Sequence, residues 1–164
     1  MKKIQNTQEA FVLKIQSLYD IEKQLEKALP KLAKASSNQE LKNGFLSHLE
    51  ETKGHSERLE KIFEIIGEKP KKEKCEGIRG IIQDGDWVTK VNSTNELKDS
   101  MIAAAARYAE HYEMAGYMCA IKMAEELGMS EAADLLSQTL VEEEAADEKL
   151  ANALEENFAA SPSI

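Results

Sequence analysis

Residues 15–32 read IQSLYDIEKQLEKALPKL. Steps of three and four from Ile15 pick out Leu18, Glu22, Leu25, Leu29 and Leu32. That spacing lays them along one face of a helix, and a face so apolar has to pack against other helices. Glu22 alone breaks the pattern, sitting where another Leu belongs. A carboxylate in a buried stripe must be paired, protonated or bound to a cation.

The same arrangement recurs along the chain. A second stripe runs Leu41, Phe45, His48, Thr52, His55, Leu59, Ile62 and Ile66, with Glu51 at its border. A third carries Ala106, Glu110 or Glu113, Tyr117, Ala120, Met123 and Leu127, and a fourth Leu136, Leu140, Glu143, Asp147, Leu150 and Leu154. Each is apolar at its ends and acidic or imidazole-bearing in its middle. Capping boxes at Ser37/Glu40 and Ser93/Glu96, and a stop at Gly128 before Ser130, predict long helices at about 7–35, 38–66, 94–128 and 130–158.

The first two helices are separated only by Ser36-Ser37 and the last two only by Gly128-Met129, so each pair is an antiparallel hairpin. Residues 67–93 hold Gly67, Pro70, Gly77, Gly80 and Gly85 around a short apolar piece, Ile78 to Trp87. Two hairpins joined by one long crossover with its own short helix make an all-α bundle of the ferritin-like kind, and one domain over 1–164. Residues 159–164 are expected to fray.

Composition agrees and excludes. Aromatic residues are 5% of the chain against 31% charged, which suits Ala/Leu/Glu/Lys helices and not sheets. A net charge of −9 disfavours nucleic acid, which needs a basic face; Lys69 to Lys74 reads as a solvated connection. Polar residues follow Met1-Lys2-Lys3 directly, and no run approaches a membrane span, so a cytoplasmic protein is expected. Cys75 and Cys119 form no ligand motif and suit reduced thiols.

Depth along the helices decides which acids matter. Glu22 lies about 14 residues before the first tight turn and Glu51 about 14 after it, so they stand at one height. Glu113, about 16 residues before the second turn, comes level with the stretch from Glu143 to Asp147. Most acids are solvated charges; Glu50, Glu57, Glu60, Glu126, Glu142 and Glu144 read that way. No Lys or Arg occupies the middle of a stripe to neutralise the buried ones. Glu22, Glu51, Glu113 and Glu143 would match two divalent cations in charge. His55, one turn from Glu51, is the favoured imidazole ligand, with His48 as a competitor or outer partner. Asp147, one turn from Glu143, joins the set, and Glu110 competes with Glu113. His111 is expected at the surface or as an outer partner of a ligand, and Tyr19, Tyr112 and Tyr117 as core residues with a polar end.

The segments LYDIEKQLEKALPKLA, HLEETKGHSERLE, AEHYEMAGY and TLVEEEAADEKL resemble the four helical signatures of the bacterial YciE/YciF family. The resemblance spans nearly the whole chain and implies a ferritin-like fold, a dinuclear metal motif, a homodimer and a link to stress responses. One departure from the wider ferritin-like pattern is plain. That pattern has Glu on two helices and Glu-x-x-His on the other two. Here Thr52 stands three before His55, and Ala146 three after Glu143.

The expected function is therefore a di-iron or di-manganese carboxylate protein with oxidase- or peroxidase-like reactivity toward peroxide or dioxygen, iron being favoured by the oxygen-rich ligands. Without CxxC pairs the chain would need an external electron donor. The other reading is a metal-binding or scaffold protein without turnover.

Overall fold

The structure, a computed structural model, describes residues 3–160, with side chains to residue 156. Five helices and no strand occur among them: α1 (Thr7–Ala35), α2 (Gln39–Ile65), α3 (Glu76–Val88), α4 (Asn95–Glu126) and α5 (Ser130–Ala160). The fold is the all-α, ferritin-like bundle that the stripes predict. Of the terminal stretch expected to fray, residues 161–164 lie outside the described residues.

Helix ends have local causes. Asn6 caps α1 by accepting the Glu9 N–H at 2.8 Å, and Pro30 is tolerated within α1 on its exposed side. The caps of α2 and α4 are Asn38 and Thr94, one residue beyond the expected Ser37 and Ser93. Asn38 accepts from both Glu40 N and Leu41 N, which a serine one residue earlier would have to reach from farther away. Gly67 and Gly128 end α2 and α4 with φ of 71° and 68°, a left-handed turn that glycine adopts without strain. In both turns the next residue's N–H, that of Glu68 or Met129, reaches back to the carbonyl of Phe63 or Ala124.

The four long helices form a ring in the order α1, α2, α5, α4, since each touches the next. The start of α4 lies beside the α1–α2 turn, because Asp99 binds the N–H groups of Ser37 and Asn38. Hence α2 and α4 run parallel, and the crossover spans the bundle. It is strapped along α1 by Glu73 N–H to Gln16 O, Cys75 N–H to Asp20 Oδ2 and the Gln24 amide to Cys75 O. Helix α3 then packs on α1 and α4 and covers that seam. Among the described residues, the α2–α5 seam on the opposite side has no such cover.

The core is in two parts. Phe11, Ile15, Leu18, Leu59, Ile62, Phe63 and Leu136 belong to one apolar cluster; Leu29, Leu41, Phe45, Ile102 and Leu150 belong to the other. Between them each long helix contributes buried polar groups. Cys75 is a buried free thiol and Cys119 an exposed one.

Candidate metal centre

Six side chains meet in that middle layer. Glu22 comes from α1, His48 and His55 from α2, Glu110 and Glu113 from α4, and Glu143 from α5. All are buried; Glu22, His55, Glu113 and Glu143 are 0% exposed. Residues seven apart, such as His48 and His55, return to the same helix face two turns on, and their rings lie 6.2 Å apart. Glu110 and Glu113 share a face by the three-residue step.

Five of the six donors sort into two groups, Glu22–His55–Glu143 and His48–Glu110–Glu143, each with its ligand atoms within 4.8 Å of one another, and Glu113 is in neither. Glu143 belongs to both. Its Oε1 lies 3.1 Å from His55 Nδ1 and its Oε2 3.6 Å from His48 Nε2. Glu22 Oε2 is 3.5 Å from His55 Nδ1, and Glu110 Oε1 is 3.4 Å from His48 Nε2. A carboxylate with one oxygen toward each group is the arrangement that bridges two cations.

Hydrogen bonding tests whether cations fit. Buried polar atoms in proteins are nearly always satisfied. Among the described residues, the buried side-chain atoms without a partner are Gln16 Oε1 and otherwise only atoms of this layer. These are Glu22 Oε2, His55 Nδ1, Glu110 Oε2 and both oxygens of Glu113 and Glu143. They are atoms with lone pairs to offer, of the kinds that ligate metals. Glu22, Glu110, Glu113 and Glu143 are four carboxylates beside two imidazoles, and two divalent ions would neutralise them.

The electrostatics show what the layer costs without cations. Burial, then the charges of Glu143, Glu22 and Glu110, push the Glu113 carboxyl well above its usual range. Burial raises Glu143 to about 8, against the opposing pull of His55. For His55 burial works against the charged ring, but Glu143 and Glu22 outweigh it and hold the pKa up to about 10. His48 is likewise raised, burial being overcome by Glu110 and Glu51. Tyr117, fully buried, donates its hydroxyl hydrogen to Glu22 Oε1, and burial with that neighbour raises it strongly. The bond fixes which Glu22 oxygen remains free.

Two acids expected in the layer stand outside it. Glu51, 31% exposed, turns outward and binds His48 Nδ1 at 3.1 Å; that contact holds its carboxyl below the usual range. Asp147 is held by Arg107 at 2.7 and 3.1 Å and lies 3.3 Å from the exposed His111. Its carboxyl is lowered mainly by Arg107, a cation on the flank of α4 where the stripe does not show it. Glu142, expected to be solvated, instead contacts His55 Nε2 at 2.8 Å and receives two hydrogen bonds from Arg58, both 2.7 Å. Of the other acids read as solvated, Glu60 accepts the Tyr19 hydroxyl at 2.7 Å.

Residues 6–161 match the family described as "Domain of unknown function (DUF892)". The chain belongs to the DUF892 family. It is 42% identical over 144 residues to the Protein YciF of Escherichia coli K12, covering 87% of each chain. The crystal structure of the E. coli stress protein YciF superposes with a TM-score of 0.93 at 38% identity, over 96% of this chain and 100% of that one. A structure of ferritin-like, diiron-carboxylate proteins from Bacillus anthracis superposes with a TM-score of 0.71 at 17% identity, over 92% and 99%. At that identity the likeness concerns the fold.

The buried layer of this DUF892 chain has the same number and kinds of side chain as the ferritin-like pattern, placed on different helices. Glu on two helices and Glu-x-x-His on two others also amount to four carboxylates and two imidazoles. Here both imidazoles come from α2 and two of the carboxylates from α4. Thr52, in place of the α2 Glu, is buried and donates to the His48 carbonyl at 2.9 Å. Ala146, in place of the α5 His, is also buried.

Proposed function

We propose that this protein holds two divalent metal ions, iron in the first place and manganese in the second, between Glu22, His48, His55, Glu110, Glu113 and Glu143. The observation that carries the reading is the set of buried, unpartnered donor atoms converging on one layer. Glu143 would bridge, and Glu113, with both oxygens free, is the second candidate bridge. A buried cluster of like charges is costly unless cations or protons compensate it, and carboxylate with imidazole suits iron or manganese better than copper(I).

Iron held there would supply electrons to peroxide or dioxygen, in keeping with the stress-protein description of YciF. The chain's own groups bury Glu22, His55, Glu113 and Glu143 away from bulk water, hold the ligands in place through Tyr117, Glu142 and Glu51, and keep protons on His55 and Glu143 until a cation displaces them. A separate protein would return the electrons. A homodimer completes the reading, supported by Tyr108 and Met118, which leave apolar surface on the outer face of α4, and its place would be the cytoplasm.

Elemental analysis of protein purified without added metal should give two equivalents of iron per chain. Anaerobic ferrous loading followed by peroxide should oxidise the iron faster than free ferrous ion. Two bound metals with no such acceleration would leave a binding protein and remove the enzymatic part.

A further inference from the structure

The uncovered α2–α5 seam opens into a cavity of about 320 Å³. Leu41, Phe45, Leu150 and Ala153 form apolar walls, and Gly44 leaves one side of α2 bare. His48 and Glu110 line it as well, while Glu22, His55, Glu113 and Glu143 do not. The cavity therefore touches the donor layer at one of its two groups. Glu110 is 2% exposed and its Oε2 has no partner, so the residue at the inner end carries an unmet buried acceptor.

The lining also limits what can enter. Glu40, Glu51, Glu110 and Glu156 outnumber the basic groups of the lining, Lys149 and His48, so an anion is disfavoured. An apolar cavity of about 150 Å³ already takes benzene. Roughly twice that volume admits a substituted single ring or a chain of similar bulk, in the size range of small-molecule sites.

We propose that the α2–α5 cleft binds a neutral organic molecule of about this size, its body on Phe45 and Leu150 and its hydroxyl or carbonyl oxygen toward the His48–Glu110 group. The direction of the oxygen rests on the two-metal reading; the pocket does not. The two metal positions then differ, the His48 position open to an added molecule and the His55 position sealed behind Glu142 and Arg58.

The probes are 4-fluorophenol and 4-fluorobenzoate, followed by fluorine NMR on metal-free and cobalt(II)-loaded protein. Fluorophenol should bind both forms, at least tenfold more tightly than fluorobenzoate, and should change the visible cobalt band. A Cβ at Gly44 meets nothing within 4 Å, so Gly44→Leu should fold, fill the cleft and weaken fluorophenol tenfold or more with cobalt content unchanged. Ala153→Phe should do the same from the α5 side and serves if Gly44→Leu is unstable. No fluorophenol binding, equal binding of the benzoate, or indifference to both substitutions would overturn the pocket. Fluorophenol binding with an unchanged cobalt band would overturn the direction of its oxygen. Failure to take up cobalt would instead sink the two-metal reading, and the NMR of the metal-free protein would still judge the cleft.

Discussion

His55 Nε2 lies 2.8 Å from Glu142 Oε2, while the opposite ring nitrogen, Nδ1, faces Glu22 and Glu143 at 3.5 and 3.1 Å. Arg58 holds the Glu142 carboxyl below its usual range, so it stays ionised and can only accept. In a neutral ring the proton then sits on Nε2, and the Nδ1 lone pair is left for a cation. A carboxylate behind a ligating imidazole typically affects metal affinity by about 10–100-fold. Glu142→Ala should lower affinity by that amount in chelator competition, and Glu142→Gln, which can still accept, by less. Equal affinities for all three proteins would place the proton on the other nitrogen.

The metal-free protein should lose stability as pH rises. In the fold His55 is raised to about 10 and Glu143 to about 8, so the folded state holds protons that the unfolded chain has released. Stability falls with pH wherever the native state binds more protons. The contribution from Glu143 is whole below about pH 4.5 and fades toward 8; that from His55 is whole below about 6.5 and fades toward 10. Metal binding displaces the same protons, so metal affinity should rise over this range. Calorimetric melting with chelator and with manganese between pH 5 and 9 should give curves that diverge upward in pH; parallel curves contradict the assignment.

Glu113 and Glu22 should respond differently to apolar replacement. Both Glu113 oxygens lack partners, so Glu113→Met removes an unmet desolvation cost and should stabilise the metal-free fold by about 1–3 kcal/mol while reducing metal uptake. Glu22→Leu also removes a proposed ligand, but it strands the buried Tyr117 hydroxyl that Glu22 accepts. Its gain should be smaller or absent, and Tyr117→Phe in the same protein should restore it. Denaturant titrations of the variants with chelator present measure these differences.

Sequence reasoning reached the four long helices and the placing of Glu22 and Glu143 because a charged residue in a strict three-four stripe has no bland explanation. It reached too far with Glu51 and Asp147. An offset of one residue turns a side chain by about 100° around the helix, and the cations that draw Asp147 aside and anchor Glu142, namely Arg107 and Arg58, lie off the apolar stripes. Glu142 reads as solvated because one carboxylate of a Glu-Glu-Glu run, Glu142 to Glu144, looks like its neighbours until the facing helix is placed. His48 and His55 were weighed as rivals, since a spacing of seven shows a shared face but not that Glu143 stands between the rings.

Glycines on opposite sides of the bundle should give opposite signs. A Cβ at Gly77 would overlap the Tyr112 hydroxyl, which lies 3.3 Å from Cys75 Sγ where α3 packs on α4. Gly77→Ala should therefore destabilise the protein and loosen the crossover, read as faster amide exchange over Glu76–Val88. Gly44 is exposed, helical and open around its Cβ, so Gly44→Ala should stabilise by about 1 kcal/mol through helix propensity alone. Thermal melts of the two variants, shifted in opposite directions, check the pair.

Asp99 offers the sharpest separation of fold from site. It is 2% exposed and accepts Ser37 N–H at 2.9 Å with one oxygen and Asn38 N–H at 2.7 Å with the other. Those are orphan donors of the α1–α2 turn, and hydrogen bonds to a charged acceptor contribute more than neutral ones. Removing the carboxylate leaves two part-buried N–H groups unmet. Asp99→Ala should cost about 3 kcal/mol, and Asp99→Asn, which keeps one acceptor, roughly half of that. Asp99 precedes Glu110 by about 16 Å of helix, too far to touch the donor layer. Metal equivalents bound by the folded fraction should therefore stay as in the wild type while the unfolding midpoint falls. A drop in metal content that parallels the loss of stability would mean that the turn and the centre are coupled through α4, and the two hairpins would then have to be treated as one cooperative unit.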